Sequence, residues 1–297
     1  MKLSVVIIAK DAAQTLERTL KSVEFADEIV VVDMQSSDAT QAIARRFTDK
    51  VFPIQDVGYV EPARNYSLSK ARGEWVLMVD ADEVIPAGLR DHLLALIKLD
   101  NPIACYSVAR KNIIFGEWVQ TAGWWPDYQP RLFLRGQVEW SDIIHSKPTI
   151  TGPTKNVPAQ AELAIEHHNY TSISQFIQRM DRYTSIATKD ATAQEQSTGN
   201  LIAVFRREVL QRLFPLKGLD GGYRGTLLAL LQGFSEVVQT AKLWEARQVE
   251  TLEKKSETLA SLEEFRTQLA YWIADERMQA VRGWQQLVWR IRRKLRF

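Results

Sequence analysis

Cysteine is almost missing from this 297-residue chain: Cys105 is the only one. No intrachain disulfide can form, and zinc sites of the Cys₂His₂ type are excluded. A reducing compartment suits such a sequence, and Cys105 itself is expected to be a buried small hydrophobe. Long apolar runs are missing too. Leu3 to Ala9 is short, lacks a small-residue cleavage site and reads as a buried parallel strand rather than a secretory leader. Leu227 to Phe234, with Gln232 inside it and Glu236 beyond, is too short to span a bilayer. Charge of one sign is also missing. Lys plus Arg number 38 and Asp plus Glu 36, so the net charge of +2 points to no polyanionic partner. What is present, 45% hydrophobic and 25% charged residues, is the mix of a soluble globular protein. It excludes a disordered chain, a collagen-like fibre and a polytopic membrane protein.

The N-terminal part alternates strands and helices. Leu3–Ala9, Glu28–Asp33, a short stretch within Lys50–Ile54 and Trp75–Val79 read as strands. Ala12–Phe25, a segment capped by Ser36-Ser37-Asp38, and Ala63–Lys70 read as helices. This order predicts a doubly wound α/β sheet, whose ligands bind at the carboxyl ends of its strands. Asp11, Asp33 and Asp80-Ala81-Asp82 fall there. Tyr106–Ala109 and Arg131–Leu134 read as further strands, Phe115–Pro130 as a structured loop or hairpin, and Gly152–Pro158 as a turn-rich segment. After Ser172 the chain reads as helical, broken sharply at Gly218–Gly225. The expected organisation is a catalytic domain over residues 1–215 and a helical extension over 216–297.

The chemistry concentrates in Asp80-Ala81-Asp82-Glu83. Two carboxylates one residue apart at a strand end can share a hard divalent cation, and such a cation can bridge a diphosphate. A solvated turn is the plain alternative, but the placement after a fourth strand, with Asp33 and Arg64 upstream, favours a site. The motif order here resembles the inverting family 2 glycosyltransferases, near the lipopolysaccharide core glucosyltransferases. The resemblance rests on Val5–Asp11, Ile29–Thr40, Ala63-Arg64-Asn65, Asp80–Glu83, Gly123–Asp127 and Arg131-Leu132-Phe133. It covers about residues 1 to 240.

That resemblance implies a fold of the GT-A type, the mixed α/β sheet of nucleotide-diphospho-sugar transferases. It implies donor contacts from Ala9, Asp11, Asp33, Arg64 and Asp80, with Arg64 at the diphosphate. Asp82 would ligate Mg²⁺ or Mn²⁺, joined by His145, although Ser146 stands where the family usually has Glu. Glu83 would support the ligands from behind or charge a helix start. Asp127 would be the base for the acceptor hydroxyl, with Asp142 as runner-up. Trp124, Trp125 and Arg131 would meet the acceptor, with Trp118 nearby; a small aromatic core is the plainer reading of the tryptophans. His167 and His168 read as structural or at the cleft rim.

The tail adds a location. Residues 278–297 hold six Arg or Lys and no acid, with Trp284, Leu287, Val288, Ile291 and Leu295 on one helical stripe. This suits peripheral contact with an anionic membrane, on the inner face of the plasma membrane for a cytoplasmic protein. Packing on the body, or helix pairing in a homodimer through Leu252, Leu259, Leu262, Leu269 and Ile273, is the alternative. The expected function is therefore transfer of a sugar, from UDP-hexose, to a saccharide or lipid-linked acceptor of the cell envelope. Two readings compete with it. A nucleotidyltransferase would need a Gly-rich phosphate loop near Lys10, which is missing. A non-catalytic membrane-peripheral sugar-binding or scaffold protein of the same fold would not need Arg64, Asp80, Asp82 and Asp127 intact. Nucleic-acid binding has no motif to support it.

Overall fold

A computed structural model describes residues 1–100, 102–141, 147–190, 201–247 and 254–296. The chain divides into two compact units, residues 1–120 with 124–176, and residues 121–123 with 177–297. In the first unit the elements run β1 (Leu3–Ala9), α1 (Leu16–Ser22), β2 (Glu28–Asp33), α2 (Thr40–Ala44), β3 (Val51–Pro53), α3 (Glu61–Lys70), β4 (Trp75–Asp80), β5 (Glu83–Val84) and α4 (Ala87–Leu96). They continue as β6 (Cys105–Ile114), β7 (Glu117–Trp118), β8 (Asp127–Leu134), β9 (Val138–Glu139), β10 (Thr149–Ile150), β11 (Thr154–Asn156) and β12 (Ile165–His168). The fold is the expected mixed α/β sheet.

The sheet order is β3-β2-β1-β4-β8-β6-β12-β5, with β7 and β11 also on β6. β3, β2, β1 and β4 are parallel neighbours, and β8 runs antiparallel between β4 and β6. Both faces are covered, which is why β1 is buried at all seven positions. Successive residues serve opposite cores. Val5, Ile7, Val31, Leu77 and Val79 pack with Leu16, Leu20, Leu89 and Leu93 on one face. Val6, Ile8, Val30, Val76 and Met78 pack with Ala63 on the other. Cys105 is wholly buried, and burial pushes its thiol up to about 12.

Local details add to the reading of the sequence. Within the segment read as a loop or hairpin, Asp127 opens strand β8, its backbone pairing with Arg110 of β6. The turn-rich segment before Pro158 contains strand β11, paired with β6. The two compact units divide at Phe176/Ile177, and the helix before the glycine break packs on the helices after it.

The second unit contains most of α5 (Ile173–Asp190), then α6 (Leu201–Leu213), α7 (Gly222–Arg247), α8 (Lys255–Ala280) and α9 (Trp284–Leu295). The glycine-rich break is a single 3₁₀ turn, Gly218–Gly221. A Cβ on Gly225 would stand 2.1 Å from the Gly218 carbonyl oxygen, so this corner closes only with glycine. Lys242 of α7 donates to Asp181, Thr184 and Ser185 of α5, clasping the two helices. Among the described residues no helix is long and apolar enough to cross a membrane.

Candidate active site

Parallel pairing brings the carboxyl ends of β2, β1 and β4 into one row. Ala9 pairs with Asp33, and Ile8 with Asp80. Asp33 is buried. Its Oδ2 accepts the Ser36 N–H at 3.1 Å and the Gln41 amide at 2.7 Å. Its Oδ1 is buried without a hydrogen-bond partner among the described residues, an acceptor that a ligand donor would satisfy. Asp11 turns the chain at φ 46° and accepts the Ser37 N–H at 2.7 Å. That hydrogen bond holds its carboxyl below the usual range. Asp11 therefore ties the end of β1 to the loop after β2.

Arg64 on α3 lies with its guanidinium carbon 5.2 Å from the Trp140 ring centroid and donates to the Met78 sulfur. No carboxylate lies within 4.0 Å of it among the described residues, and its Nε is buried without a partner. Burial lowers its pKa, with Asp80 opposing. A cation held in this way is ready for an anion.

Arg131 does not face an acceptor. It is 2% exposed, and one of its terminal nitrogens donates to Asp80 at 2.6 Å and to Glu83 at 2.5 Å. This is a correction to the expected role: β8 places Arg131 between β4 and the turn that follows, where two carboxylates consume its charge. Burial would raise the Asp80 carboxyl, but Arg131 and Arg64 overcome this and hold it ionised. Glu83 is fully buried, and burial raises its pKa. Glu83 also accepts the Asp80 N–H at 2.9 Å, so it braces the turn that presents Asp82.

The sheet edge brings together residues far apart in sequence. β5 pairs antiparallel with β12, so Glu83 lies opposite His167, and His168 donates its N–H to the Asp82 carbonyl. His167 Nε2 stands 3.7 Å from Asp82 Oδ1. His167 Nδ1 is 2.7 Å from Asn112 Oδ1. The Asn112 amide nitrogen donates to Asp127 Oδ2 at 3.0 Å and to the Trp124 carbonyl at 3.1 Å. Both partners only accept, which orients the amide and makes His167 Nδ1 a donor. The Nε2 edge of the ring is thereby turned to Asp82. Asp127 also accepts from Arg110, at 2.6 and 2.8 Å, and from Gln129 at 2.8 Å. Burial would raise the Asp127 carboxyl, but Arg110 and these hydrogen bonds outweigh it and lower it.

His167, Asn112, Arg110 and Gln129 were not among the site residues expected from sequence. One signal could have found His167: it follows Ile165 by two residues, so the same inward face of a strand carries a core isoleucine and then a histidine. His145 and the alternative base Asp142 lie outside the described residues. Trp118 and Trp125 meet edge to face at 5.1 Å, and Trp124 meets Tyr170 likewise at 6.3 Å. The Nε1 atoms of Trp118 and Trp124 are buried without partners among the described residues. Lys111 stands over Trp118 at 5.4 Å.

Comparison with known proteins gives the family. Residues 4–149 match the family model described as "Glycosyl transferase family 2". An uncharacterized glycosyltransferase of Rickettsia felis is 26% identical over 260 residues, covering 82% of this chain and 90% of that protein. The lipopolysaccharide core biosynthesis glycosyltransferase LpsC of Rhizobium meliloti is 31% identical over 122 residues, 39% of this chain and 44% of that one. The solved structure of S. aureus TarS 1–349 aligns at TM-score 0.43 and 15% identity, over 85% of this chain and 93% of that one. His167 lies beyond the matched span. Residues 4–149 thus match glycosyl transferase family 2, and the chain is a glycosyltransferase.

Proposed function

We propose that the chain is an inverting, metal-dependent hexosyltransferase that moves a sugar from a nucleotide diphosphate, UDP-hexose, to a saccharide or lipid-linked acceptor of the cell envelope. The observation that carries this reading is the Asp82–His167 pair, set on the same hydrogen-bonded network as Asp127. The partial relationship to a lipopolysaccharide core enzyme supports the choice of acceptor class.

The residues fit a divalent cation. Among the described residues no three His, Cys, Asp or Glu side chains cluster to hold a metal. Two donors do face each other, the Asp82 carboxylate and the His167 Nε2 edge. Mg²⁺ and Mn²⁺ commonly take few protein ligands and complete their shells with water and substrate phosphates. Asp82 and His167 would hold the ion, which would neutralise charge on the departing diphosphate. Asp80, already committed to Arg131, would sit behind it or meet the ribose. Asp33 Oδ1 would accept from the base or ribose, with Ala9 beside it, and Arg64 would meet the diphosphate.

Asp127 would take the acceptor proton. Arg110 keeps it ionised, the form a base needs, while the half-buried Trp124 and Trp125 offer apolar faces for a sugar ring. Asp127→Asn is expected to keep donor binding and to lose about 10²- to 10⁴-fold in transfer. Unchanged turnover would move the base elsewhere. Asp82, Asp127 and Arg64 in these settings favour the enzyme over a non-catalytic binding protein.

One observation favours membrane contact by the helical unit. On α9, Trp284 is 74%, Leu287 56%, Ile291 51% and Leu295 55% exposed. The less exposed side carries Gln286, Trp289 and Arg293, and Arg293 pairs with Asp275 of α8 and lies over Tyr271. The apolar stripe thus faces outward, flanked by basic residues, as a helix lying in an anionic bilayer interface requires. Deleting residues after Met278 is expected to abolish binding to phosphatidylserine vesicles. Unchanged vesicle binding together with a change in oligomeric state would instead support helix pairing.

A further inference from the structure

Asn112 touches both ends of the proposed chemistry. It is fully buried on β6, beside His167 of β12 in register. Its oxygen takes the imidazole N–H at 2.7 Å, and its nitrogen gives one hydrogen to Asp127 at 3.0 Å and the other to the Trp124 carbonyl at 3.1 Å. All three contacts use the polar atoms of one buried, planar amide. Turning it over would set the amide nitrogen against the imidazole N–H, and the amide oxygen against a carboxylate and a carbonyl.

We infer that Asn112 is a positioning residue that locks the base Asp127 and the metal-binding edge of His167 to a single amide, so that the acceptor side and the donor side of the site keep one fixed spacing. The inference rests on the reading of Asp82 and His167 as cation ligands and of Asp127 as the base. Its physical content is that Asn112 performs two separable jobs. Toward His167 it is an acceptor, which fixes the ring orientation; partners of this kind are commonly worth about 10- to 100-fold in metal affinity. Toward Asp127 it is a donor, which holds the carboxylate in place; a misplacement of about 1 Å can cost roughly 10²-fold in rate.

The two jobs separate by substitution. Asn112→Asp keeps the shape and the acceptor for His167, but removes the donor and sets a second carboxylate against Asp127. Asn112→Ala removes both. Mn²⁺ binding is read by the electron paramagnetic resonance signal of the free ion, without substrate, and transfer by kcat and KM on the full chain. For Asn112→Asp, Mn²⁺ affinity is expected to stay within a few-fold of the parent while kcat falls by roughly 10²-fold. For Asn112→Ala, Mn²⁺ affinity is expected to fall by about 10- to 100-fold as well.

Because the alanine variant removes a buried amide, circular dichroism accompanies it. If it does not fold, the ring nitrogens of His167 in the metal-free parent decide the metal end by ¹⁵N resonance. A proton on Nδ1 in the neutral ring supports the lock, and a proton on Nε2 alone overturns it. Parent-like transfer by Asn112→Asp overturns the base end. Unchanged Mn²⁺ affinity in folded Asn112→Ala overturns the metal end, provided His167→Ala does lose Mn²⁺. If His167→Ala also binds Mn²⁺ normally, the cation-site reading itself fails and the lock falls with it.

Discussion

Replacing Arg131 with methionine separates an internal counter-charge from an acceptor ligand. The side chain is 2% exposed, and its guanidinium holds Asp80 and Glu83 through one nitrogen. Methionine fills most of the volume, so the loss is electrostatic. Asp80 retains 32% side-chain exposure and can recover some solvation from water, but Glu83 has none. Arg110, 3.9 Å from Glu83, compensates only in part. Removing one partner from a buried ion pair commonly costs about 3–5 kcal/mol, and most of that falls here on Glu83. For a unit of this size that lowers the midpoint temperature by roughly 6–20 °C. Urea titration followed by circular dichroism, with calorimetry, reads the loss. Adding Glu83→Gln removes the stranded charge and should recover most of it. Arg131→Met within about 1 kcal/mol of the parent, with a raised acceptor KM, would refute the counter-charge and restore the acceptor role.

Arg64→Met should weaken UDP binding by about 10- to 100-fold in calorimetric titration, the loss of charge-assisted hydrogen bonds to a diphosphate; unchanged affinity would remove Arg64 from the donor site. Gly73→Ala would set a Cβ 2.6 Å from the Ser4 backbone nitrogen and should destabilise the first unit by about 1–3 kcal/mol; a neutral result in urea would show that the β1 end yields. Stability should also fall in acid. Burial would raise the Glu28 carboxyl, but Lys50, Ser4 and the Arg72 N–H outweigh it and lower it. The ion pair's contribution is thus present above the ordinary glutamate value of about 4.3 and is lost as pH drops through the lower folded value. A Glu28→Gln variant should show a flatter acid limb, and equal slopes would contradict this.

Much of the fold was legible because local pattern dictated it. The runs Leu3–Ala9 and Glu28–Asp33 read as buried strands, and the acids at or just beyond their ends, Asp11 and Asp33, pointed to the candidate site. Ala63–Lys70 lies within α3 (Glu61–Lys70), and Arg64 follows from it. The site's far half was not legible, because it depends on pairing across long stretches of chain. Glu83–Val84 is a two-residue strand with no pattern of its own, and only its pairing with β12 brings Asp82 to His167. Arg131 was assigned to the acceptor by resemblance alone, and its two carboxylate partners, at the end of β4 and the start of β5, reach it only through the sheet. Asp127 was singled out by resemblance, but its hydrogen bonds to Asn112 and Arg110 depend on the β6–β8 register.

The central claim is that Asp82, with His167, holds a divalent cation needed for sugar transfer. Release of nucleoside diphosphate from UDP-sugars, measured for the parent and Asp82→Ala with Mn²⁺ and again with chelator, tests it most directly. The expected result is metal-dependent release by the parent and none above background by a folded Asp82→Ala chain. Parent-like release by that variant in chelator would contradict the account.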